Sequence, residues 1–295
     1  MHRFFVKSKY VNNNVVEIKG NDFNHISNSL RLKPEDKIII TIGDGYDYIV
    51  ELKEFSDEAV FGDIIKKRIN LSEPKIKVDL AQSIPKNRNI ELVIQKGTEL
   101  GVNNIIPLDT KRTIVKLKPS KEKTRIKRWQ KIAEEAAKQS QRGKIPEIKK
   151  VLSVKDKNKL EALFIKYDLI LVLYAGEKNT SLKNILHNYK KEKINDILVL
   201  IGPEGGFTSE EIELFKNINI NKNIKIITLG NRILRTETAG LTALTSIMYE
   251  FDELGGKWWK VLLFIPLVVK LIIMNPRQWW IILKIEVMKL KILNK

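Results

Sequence analysis

Short apolar runs rich in β-branched and aromatic residues occur throughout the first seventy positions of the chain. The runs FFV, VVEI, KIIITI and YIVEL are separated by turn residues at 12–14, 33–34 and 43–45. Runs of this composition bounded by turn residues indicate β-strands, and many short strands in so short a stretch are typical of a small barrel. The pattern therefore predicts an N-terminal β-barrel domain over residues 1–72.

From residue 76 onwards the pattern changes to apolar runs that alternate with helical segments. The runs predict strands at 76–81, 104–108, 169–174, 197–201 and 224–229. The intervening segments predict helices at 88–100, 121–140, 182–190, 209–216 and 236–252. Such alternation is typical of a mostly parallel sheet covered by helices on both faces, so we expect an α/β domain over residues 73–254.

The remaining segment, residues 255–295, is both apolar and basic. Residues 261–274 are apolar except for Lys270, and they include Pro266. This run is shorter than the roughly 20 residues that span a bilayer. Contact with a membrane interface is one interpretation of its aromatic and lysine content, and sequence added at the end of the gene is the other. Its role is not determined by the sequence.

Positive charge is concentrated in two parts of the chain. The net charge is +18, and residues 111–150 carry 15 basic against 4 acidic side chains. Residues 257–295 carry 8 against 1, whereas the rest of the chain is balanced. A local surplus of this density is expected where a polyanion such as RNA binds. A solvated, lysine-rich surface is the alternative.

The composition also excludes several kinds of site. The chain has no cysteine, which rules out disulfides, cysteine-ligated metals and cysteine nucleophiles. Its three histidines, His2, His25 and His187, are far apart in sequence, so we expect no metal site. The opening MHRFFVKSKY lacks the apolar run of a signal peptide, and a cytoplasmic location is expected.

A glycine-rich loop follows the apolar run 197–201. Its sequence, GPEGGF, places glycines at 202, 205 and 206, where they permit positive φ angles and close backbone approach to a ligand. Thr208 and Glu211 then predict a capping box at the start of a helix. The loop lacks the Gly-Lys-Ser/Thr and G-x-G-x-x-G patterns of phosphate and dinucleotide sites. A ligand loop of another kind is indicated, with an ordinary tight turn as the alternative.

A second loop, GNRILRTETAG at 230–240, follows the run 224–229. Loops at the carboxyl ends of parallel strands meet at one edge of the sheet, so the two loops would build one pocket whose apolar residues hold an adenine. Simple core packing is the alternative for the leucine and isoleucine side chains at the strand ends. The predicted pocket residues are Leu173, Gly176, Ile201, Gly202, Pro203, Gly205, Gly206, Leu229, Gly230, Ile233, Leu234 and Thr236.

Six stretches of the chain resemble the bacterial 16S rRNA (uracil-N3)-methyltransferases of the SPOUT superfamily. The resemblance extends over residues 1 to about 254. Two glycines of the family pattern are replaced, by Glu35 in the Pro-Gly-Asp turn and by Gln141 after Gln-Ser. The stretches are RFFV (3–6), HISNSLRLKP (25–34), KGTELGV (96–102), RWQKIAEEAAKQS (128–140), IGPEGGF (201–207) and LGNRILRTETA (229–239).

The resemblance implies a PUA-like β-barrel followed by an α/β-knot methyltransferase domain whose C-terminal part forms a trefoil knot. It implies S-adenosylmethionine as the methyl donor, a homodimer, and N3 of uridine 1498 in 16S rRNA of the small ribosomal subunit as the substrate. Two alternatives remain open. One is a SPOUT ribose 2′-O-methyltransferase acting on rRNA or tRNA, and the other is a non-catalytic RNA-binding protein of ribosome assembly.

The chemistry of uracil directs attention to three charged residues. After loss of its imide proton, N3 attacks a methyl sulfonium directly, which requires a proton acceptor, a nearby cation and accurate positioning. We predict that Arg235 steadies the uracil anion or orients the donor carboxylate; an ion pair with Glu237 at the helix start is the alternative. Glu204 or Glu237 is predicted to influence proton removal, although stabilisation by the helix dipole would also explain them.

Three further arginines are candidates for contact with RNA. Arg31 follows the helical turn of the barrel domain, and Arg112 and Arg142 lie in the basic segment. The planar guanidinium group binds phosphate through two parallel hydrogen bonds. We therefore predict that Arg31, Arg112 and Arg142 contact RNA, with an ordinary surface position as the alternative for each.

Overall fold

The computed structural model describes residues 1–254 apart from residues 88, 191, 193 and 219–222. In this part of the chain the strands form two sheets, one before and one after residues 70–76. None of the helices described has the length and apolar composition needed to cross a bilayer. The predicted tail, 255–295, lies outside the described residues.

The N-terminal sheet contains six strands in the order β1-β4-β5-β6-β3-β2. β1 and β4 are parallel, and the other neighbours are antiparallel. The hydrophobic pattern does not predict β6, because its second half, IKKRI, is largely basic. The bounds are β1 (Arg3–Phe5), β2 (Val11–Asn12), β3 (Val15–Lys19), β4 (Lys37–Thr41), β5 (Tyr46–Phe55) and β6 (Ala59–Ile69).

A helical turn, α1 (Gly20–Asn24), follows β3 and continues as a π-helical turn over His25–Ser29. Ile26 of this segment is fully buried in the core of the first sheet. Two residues in the connection to β4 have left-handed backbone conformations, Arg31 with φ 52° and Glu35 with φ 76°. The turn predicted around Glu35 is therefore formed with a side chain in a conformation that favours glycine.

The C-terminal sheet has seven parallel strands among the described residues, in the order β10-β8-β7-β12-β11-β13, with β9 beside β8. Its parallel α/β character confirms the predicted fold class. The strands are β7 (Lys77–Ser83), β8 (Asn104–Asp109), β9 (Glu147–Ile148), β10 (Leu152–Ser153), β11 (Leu169–Leu173), β12 (Asp196–Ile201) and β13 (Asn223–Ile227).

Six helices accompany this sheet in the described residues, and all five that were predicted are present with ends within two residues of the prediction. The sixth helix, α4, was not predicted, because it has only eight residues and a short apolar pattern. The bounds are α2 (Asn89–Glu99), α3 (Pro119–Gln139), α4 (Lys157–Phe164), α5 (Leu182–Tyr189), α6 (Ser209–Lys216) and α7 (Thr236–Glu250).

The core beneath the glycine-rich loop is aromatic. Phe207, the last residue of that loop, is 2% exposed. Its ring meets that of Phe215 from α6 edge-to-face, with a centroid distance of 5.3 Å. Phe164 of α4 also packs against Phe215, with a centroid distance of 6.2 Å. Burial of an aromatic side chain contributes a large hydrophobic stabilisation, so Phe207 anchors the end of the loop.

Polar contacts fix the junction between the two parts of the chain. The Thr41 hydroxyl donates to the carbonyl oxygen of Gly143 at 3.1 Å, and the Ser72 hydroxyl donates to that of Gln141 at 2.6 Å. Lys138 of α3 forms an ion pair with Asp22 of α1. Residues 1–251 form one compact unit, so the domain boundary at residue 72 stays a prediction.

A buried ion pair lies inside the N-terminal part. Both terminal nitrogens of Arg3 donate to the carboxylate of Asp47, at 2.6 and 2.9 Å. Asn70 and Arg68 donate to the same carboxylate. Burial acts to raise the pKa of Asp47, but the hydrogen bonds from Arg3 and Asn70 outweigh it and hold that pKa below its usual range.

Candidate functional site

A pocket of about 590 Å³ opens at the carboxyl ends of β11, β12 and β13. β11 lies between β12 and β13 in the sheet, so the loops after three adjacent strands converge there. The edge where parallel strands end is the usual ligand position in open α/β sheets, and the volume suits a small molecule. The two predicted loops therefore form one pocket, together with the loop after β11.

Eleven of the twelve residues predicted for this pocket line it. Gly176 does not; it is exposed, and a Cβ on it would lie 2.4 Å from a ring atom of Tyr174. Tyr174 occupies the wall instead. The lining residues that were predicted are Leu173, Ile201, Gly202, Pro203, Gly205, Gly206, Leu229, Gly230, Ile233, Leu234 and Thr236.

The glycine-rich loop begins with a tight turn. The Gly206 N–H donates to the carbonyl oxygen of Pro203 at 2.8 Å, and Gly206 has a φ of +66°. After Phe207, the Thr208 hydroxyl accepts from the Glu211 N–H, and the Glu211 carboxylate accepts from the Thr208 N–H at 2.8 Å. The predicted capping box is confirmed, and it fixes the exit of the loop into α6.

A buried hydrogen-bond chain joins the two predicted loops. The Thr236 hydroxyl donates to the carbonyl oxygen of Gly202 at 2.5 Å, and Gln82 Nε2 donates to the Thr236 oxygen at 2.8 Å. Gln82 is fully buried at the end of β7. The sequence did not single out Gln82, because β7 also carries Lys77, Asp79 and Ser83, so that one more polar residue gave no distinct signal.

The second loop is open to solvent. Ile233 is 94% exposed although it lines the pocket. Arg232 and Asn231 also line the pocket and were not singled out by the sequence. Arg235 is exposed immediately before α7, and it forms no ion pair with any residue in the described part of the chain, so the alternative pairing with Glu237 is not formed.

The two glutamates with predicted roles bind the loop after β7 and the start of α2. Glu204 lines the pocket, and its Oε1 accepts a hydrogen bond from the Lys86 N–H at 2.8 Å. Glu237 is 8% exposed, and its Oε1 accepts from Asn89 Nδ2 at 2.9 Å. Glu237 lies in the groove between α2 and α7 and outside the pocket wall. Its position does not support the predicted role in proton removal.

A third carboxylate, that of Glu177, also lines the pocket. It accepts from the N–H groups of Asn179 and Thr180 at 2.8 and 2.9 Å. These hydrogen bonds hold the pKa of Glu177 below its usual range. Apart from charged residues, the wall is composed of peptide groups, aliphatic side chains, hydroxyls, the Tyr174 ring and the Asn231 amide. These groups suit binding and orientation of a ligand rather than covalent catalysis.

The three arginines predicted to contact RNA occupy different environments. Arg31 is exposed. Arg112 is exposed as well, but its Nη1 donates to the carbonyl oxygen of Gly205 at 2.6 Å. Arg142 is 3% exposed; its guanidinium is paired with Glu73 and donates to the carbonyl oxygen of Val102 at 2.6 Å. RNA contact by Arg142 is therefore a wrong prediction, because its donors are used inside the fold.

Comparison with known proteins agrees with this arrangement. Residues 72–248 match the family model described as the RNA methyltransferase domain, and residues 18–65 match that of the RNA methyltransferase PUA domain. The chain is 34% identical over 263 residues to the ribosomal RNA small subunit methyltransferase E of Bacillus subtilis (strain 168), covering 87% of this chain and 99% of the relative.

Two further relatives carry the same name. The protein from Mesomycoplasma hyopneumoniae (strain 232) is 36% identical over 251 residues, covering 83% of this chain and 98% of the relative. A crystal structure of the protein from Neisseria gonorrhoeae, bound to S-adenosyl methionine, aligns with a TM-score of 0.71 and 26% identity over 84% of this chain and 97% of that one. With its two matched domains and its similarity to these relatives over most of its length, the chain belongs to the family of ribosomal RNA small subunit methyltransferase E.

Proposed function

We propose that this chain binds S-adenosylmethionine in the pocket and transfers its methyl group to N3 of uridine 1498 in 16S rRNA of the small ribosomal subunit. The observation that carries the proposal is the convergence of the two glycine-containing loops on one pocket at the carboxyl ends of β11, β12 and β13. Family membership and the donor bound by the Neisseria relative support the same assignment.

The residues of the pocket fit such a donor. Leu173, Leu229 and Leu234 provide apolar surface for an adenine, and the peptide groups of residues 202–206 provide hydrogen-bonding partners. Bound S-adenosylmethionine supplies a methyl group on a sulfonium, which N3 attacks directly. Positioning of the two reactants is therefore the main task of the protein in this reaction.

Two charged residues have proposed roles near the reacting nitrogen. Arg235, exposed beside the second loop, stabilises the negative charge that develops on uracil when its imide proton leaves. Glu204 lies in the pocket wall and uses Oε1 for the Lys86 N–H. Its Oε2 has no hydrogen-bond partner among the described residues, so we propose that Glu204 influences the removal of the N3 proton.

The proposed RNA surface combines the N-terminal domain with the basic segment. Arg31 is exposed and its guanidinium has no hydrogen-bond partner in the described part of the chain. Helix α3 carries exposed lysines along the segment with the large positive surplus. Each phosphate contact releases a counterion, so binding to rRNA is expected to weaken steeply with salt.

We also propose that the active form is a homodimer. Ile233 is 94% exposed next to the pocket, and Leu92 of α2 is 44% exposed in a groove of about 320 Å³ that it forms with Leu241 and other residues of α7. Apolar surface of this kind is typical of a protein interface. Light scattering after size exclusion would give twice the chain mass, and Ile233→Asp would shift the mass towards one chain.

The trefoil knot is part of this proposal. β13 pairs with β11 on the side away from β12, and α7 then returns to pack against β7 and β12. The C-terminal helix α7 thus packs against strands that precede β13 in the chain. This path is compatible with the trefoil knot that the family resemblance implies, and it supports the proposal.

The experiment that tests the function is methyl transfer from labelled S-adenosylmethionine into small subunits that lack the modification. We expect 3-methyluridine at position 1498 after nuclease digestion and mass spectrometry, and no incorporation into fully modified subunits. A 2′-O-methylated nucleoside would instead identify a ribose methyltransferase. Absence of both transfer and donor binding by calorimetry would identify a non-catalytic assembly protein.

A further inference from the structure

We propose that Arg112 is a positioning residue that locks the peptide between Gly205 and Gly206, and that it thereby preorganises the pocket for the methyl donor. This role replaces the RNA contact that the sequence predicts for Arg112. It rests on the proposed function of the pocket, but its structural part concerns the protein without any ligand.

Both polar ends of this peptide are occupied. The carbonyl oxygen of Gly205 accepts from Arg112 Nη1 at 2.6 Å. The N–H of the same peptide belongs to Gly206 and donates to the carbonyl oxygen of Pro203 at 2.8 Å. A flip of the peptide would break both hydrogen bonds, and the one from Arg112 is strengthened by its charge.

A peptide between two glycines rotates more easily than one between residues with side chains, so hydrogen bonds are needed to fix its orientation. Neither Gly205 nor Gly206 has a Cβ, so steric barriers to rotation of the peptide plane are low. Both residues line the pocket. The orientation of their shared peptide therefore determines the shape of the pocket wall at this loop.

The fit between Arg112 and Gly205 supports this role. Gly205 is not among the glycines with positive φ, so its backbone conformation does not require glycine. A Cβ on Gly205 would lie 3.2 Å from Cδ and 3.5 Å from Cβ of Arg112. The absence of a side chain at position 205 thus allows the methylene groups of Arg112 to lie directly on the loop.

The backbone that carries Arg112 is itself held against the pocket. The N–H of the preceding residue, Lys111, donates to Glu211 Oε1 at 2.7 Å. The other oxygen of Glu211 accepts from the Thr208 N–H in the capping box. One buried carboxylate therefore fixes both the start of the basic segment and the end of the glycine-rich loop, which limits the distance between Arg112 and Gly205.

Two measurements on Arg112→Ala test the proposal. Without ligand, hydrogen–deuterium exchange of residues 203–207 is expected to be faster than in the unmodified chain. Affinity for S-adenosylhomocysteine, measured by calorimetry, is expected to fall about tenfold, as estimated for one charge-assisted hydrogen bond, while the KM for the ribosomal subunit stays unchanged. Arg125→Ala removes the same side chain from an exposed position of the basic segment, and it should alter neither exchange nor donor affinity.

Gly205→Ala supplies an independent test by a double-mutant cycle. In the unmodified chain the new methyl group displaces Arg112 and should weaken donor binding about fivefold, in line with the cost of overpacking. In the Arg112→Ala background the same substitution should have no further effect.

Unchanged exchange at 203–207 in Arg112→Ala would overturn the proposal even if the protein bound no donor at all. Unchanged donor affinity together with weaker RNA binding would also overturn it, because Arg112 would then be an RNA ligand. Failure of the unmodified chain to bind the donor would refute the proposed function instead, and the exchange result would still decide the role of Arg112.

Discussion

Thr236 and Gly202 connect the two loops of the pocket, because the hydroxyl of Thr236 donates a hydrogen bond to the carbonyl oxygen of Gly202 at 2.5 Å. The hydroxyl also accepts from Gln82 Nε2 at 2.8 Å. All three positions are buried. The relative placement of the loops after β12 and β13 therefore depends on one side-chain oxygen.

Replacement of Thr236 by valine is expected to lower donor affinity at least tenfold. Valine keeps the shape but removes the hydrogen bond to the buried Gly202 carbonyl oxygen and leaves Gln82 Nε2 with the Ser83 carbonyl oxygen at 3.2 Å as its acceptor. A buried polar group that loses its partner costs about 1–3 kcal/mol. Thr236→Ser keeps the hydroxyl and should bind nearly as well as the unmodified chain. Calorimetry with S-adenosylhomocysteine measures both variants, and equal affinity for Thr236→Val would show that the link is not needed.

Arg235→Ala is expected to reduce kcat on undermethylated small subunits about a hundredfold, the range found when one group that stabilises developing charge is removed. Donor affinity should change little, because Arg235 does not line the pocket. Arg235→Lys should recover part of the rate. A loss confined to donor affinity would instead indicate that Arg235 orients the donor.

Arg31→Gly separates the RNA contact of Arg31 from its structural effect. Arg31 has a φ of 52°, so glycine relieves backbone strain while it removes the guanidinium. We expect weaker binding to 16S rRNA, with the slope of log K against log salt reduced by about 0.9, and an unchanged or higher melting temperature. Arg31→Ala should lose the same RNA affinity without a gain in stability. Retained affinity and slope in both variants would exclude the contact.

Glycine at positions 35 and 141 is expected to stabilise the protein. Glu35 and Gln141 have φ angles of 76° and 61°, a conformation that costs a side-chain-bearing residue about 1–2 kcal/mol. After the larger entropy of glycine in the unfolded chain is subtracted, each substitution should add about 0.5 kcal/mol to the free energy of unfolding. Urea denaturation measures the change. Glu35→Ala keeps a Cβ and should show no gain.

Acid should weaken the N-terminal domain through Asp47. The pKa of Asp47 is lower in the folded than in the unfolded protein, so its contribution to stability is complete above the unfolded value of about 4 and is lost as pH falls through the folded value. Asp47→Asn leaves Arg3 buried without a counter-charge and should cost roughly 3 kcal/mol at neutral pH.

Denaturation curves at pH 7 and below pH 4 measure this effect. The exposed Asp63 on β6 provides the control, since Asp63→Asn should change the free energy of unfolding by less than about 0.5 kcal/mol. Equal stability of Asp47→Asn and the unmodified chain at neutral pH would contradict the prediction.

The sequence was sufficient to predict the α/β sheet and most of the pocket, because local patterns determine both. The apolar run 197–201 and the glycines that follow it require no knowledge of distant residues. The proximity of the Tyr174 ring to Gly176 is not predictable from sequence spacing, because it depends on the conformation of a side chain.

The sequence did not predict the correct roles of residues whose contact partners are distant in the chain. Arg142 and Arg112 both belong to the basic segment, yet one is buried against Glu73 and the other contacts Gly205, 93 positions away. Charge density alone does not distinguish a guanidinium that faces solvent from one that is used inside the fold. The sequence shows that Gln141 replaces a glycine of the family pattern. It does not show that Gln141 adopts a left-handed backbone conformation.

The contacts from Thr41 to Gly143 and from Asp22 to Lys138 have a further consequence. They connect the N-terminal sheet to the end of α3 and to the segment after it. Under the proposed function, we expect these surfaces to bind the ribosomal RNA together, so that the contacts set the separation between an anchoring nucleotide and the nucleotide that enters the pocket. A fixed separation of this kind would select the target nucleotide by its distance from the anchoring nucleotide as well as by its base.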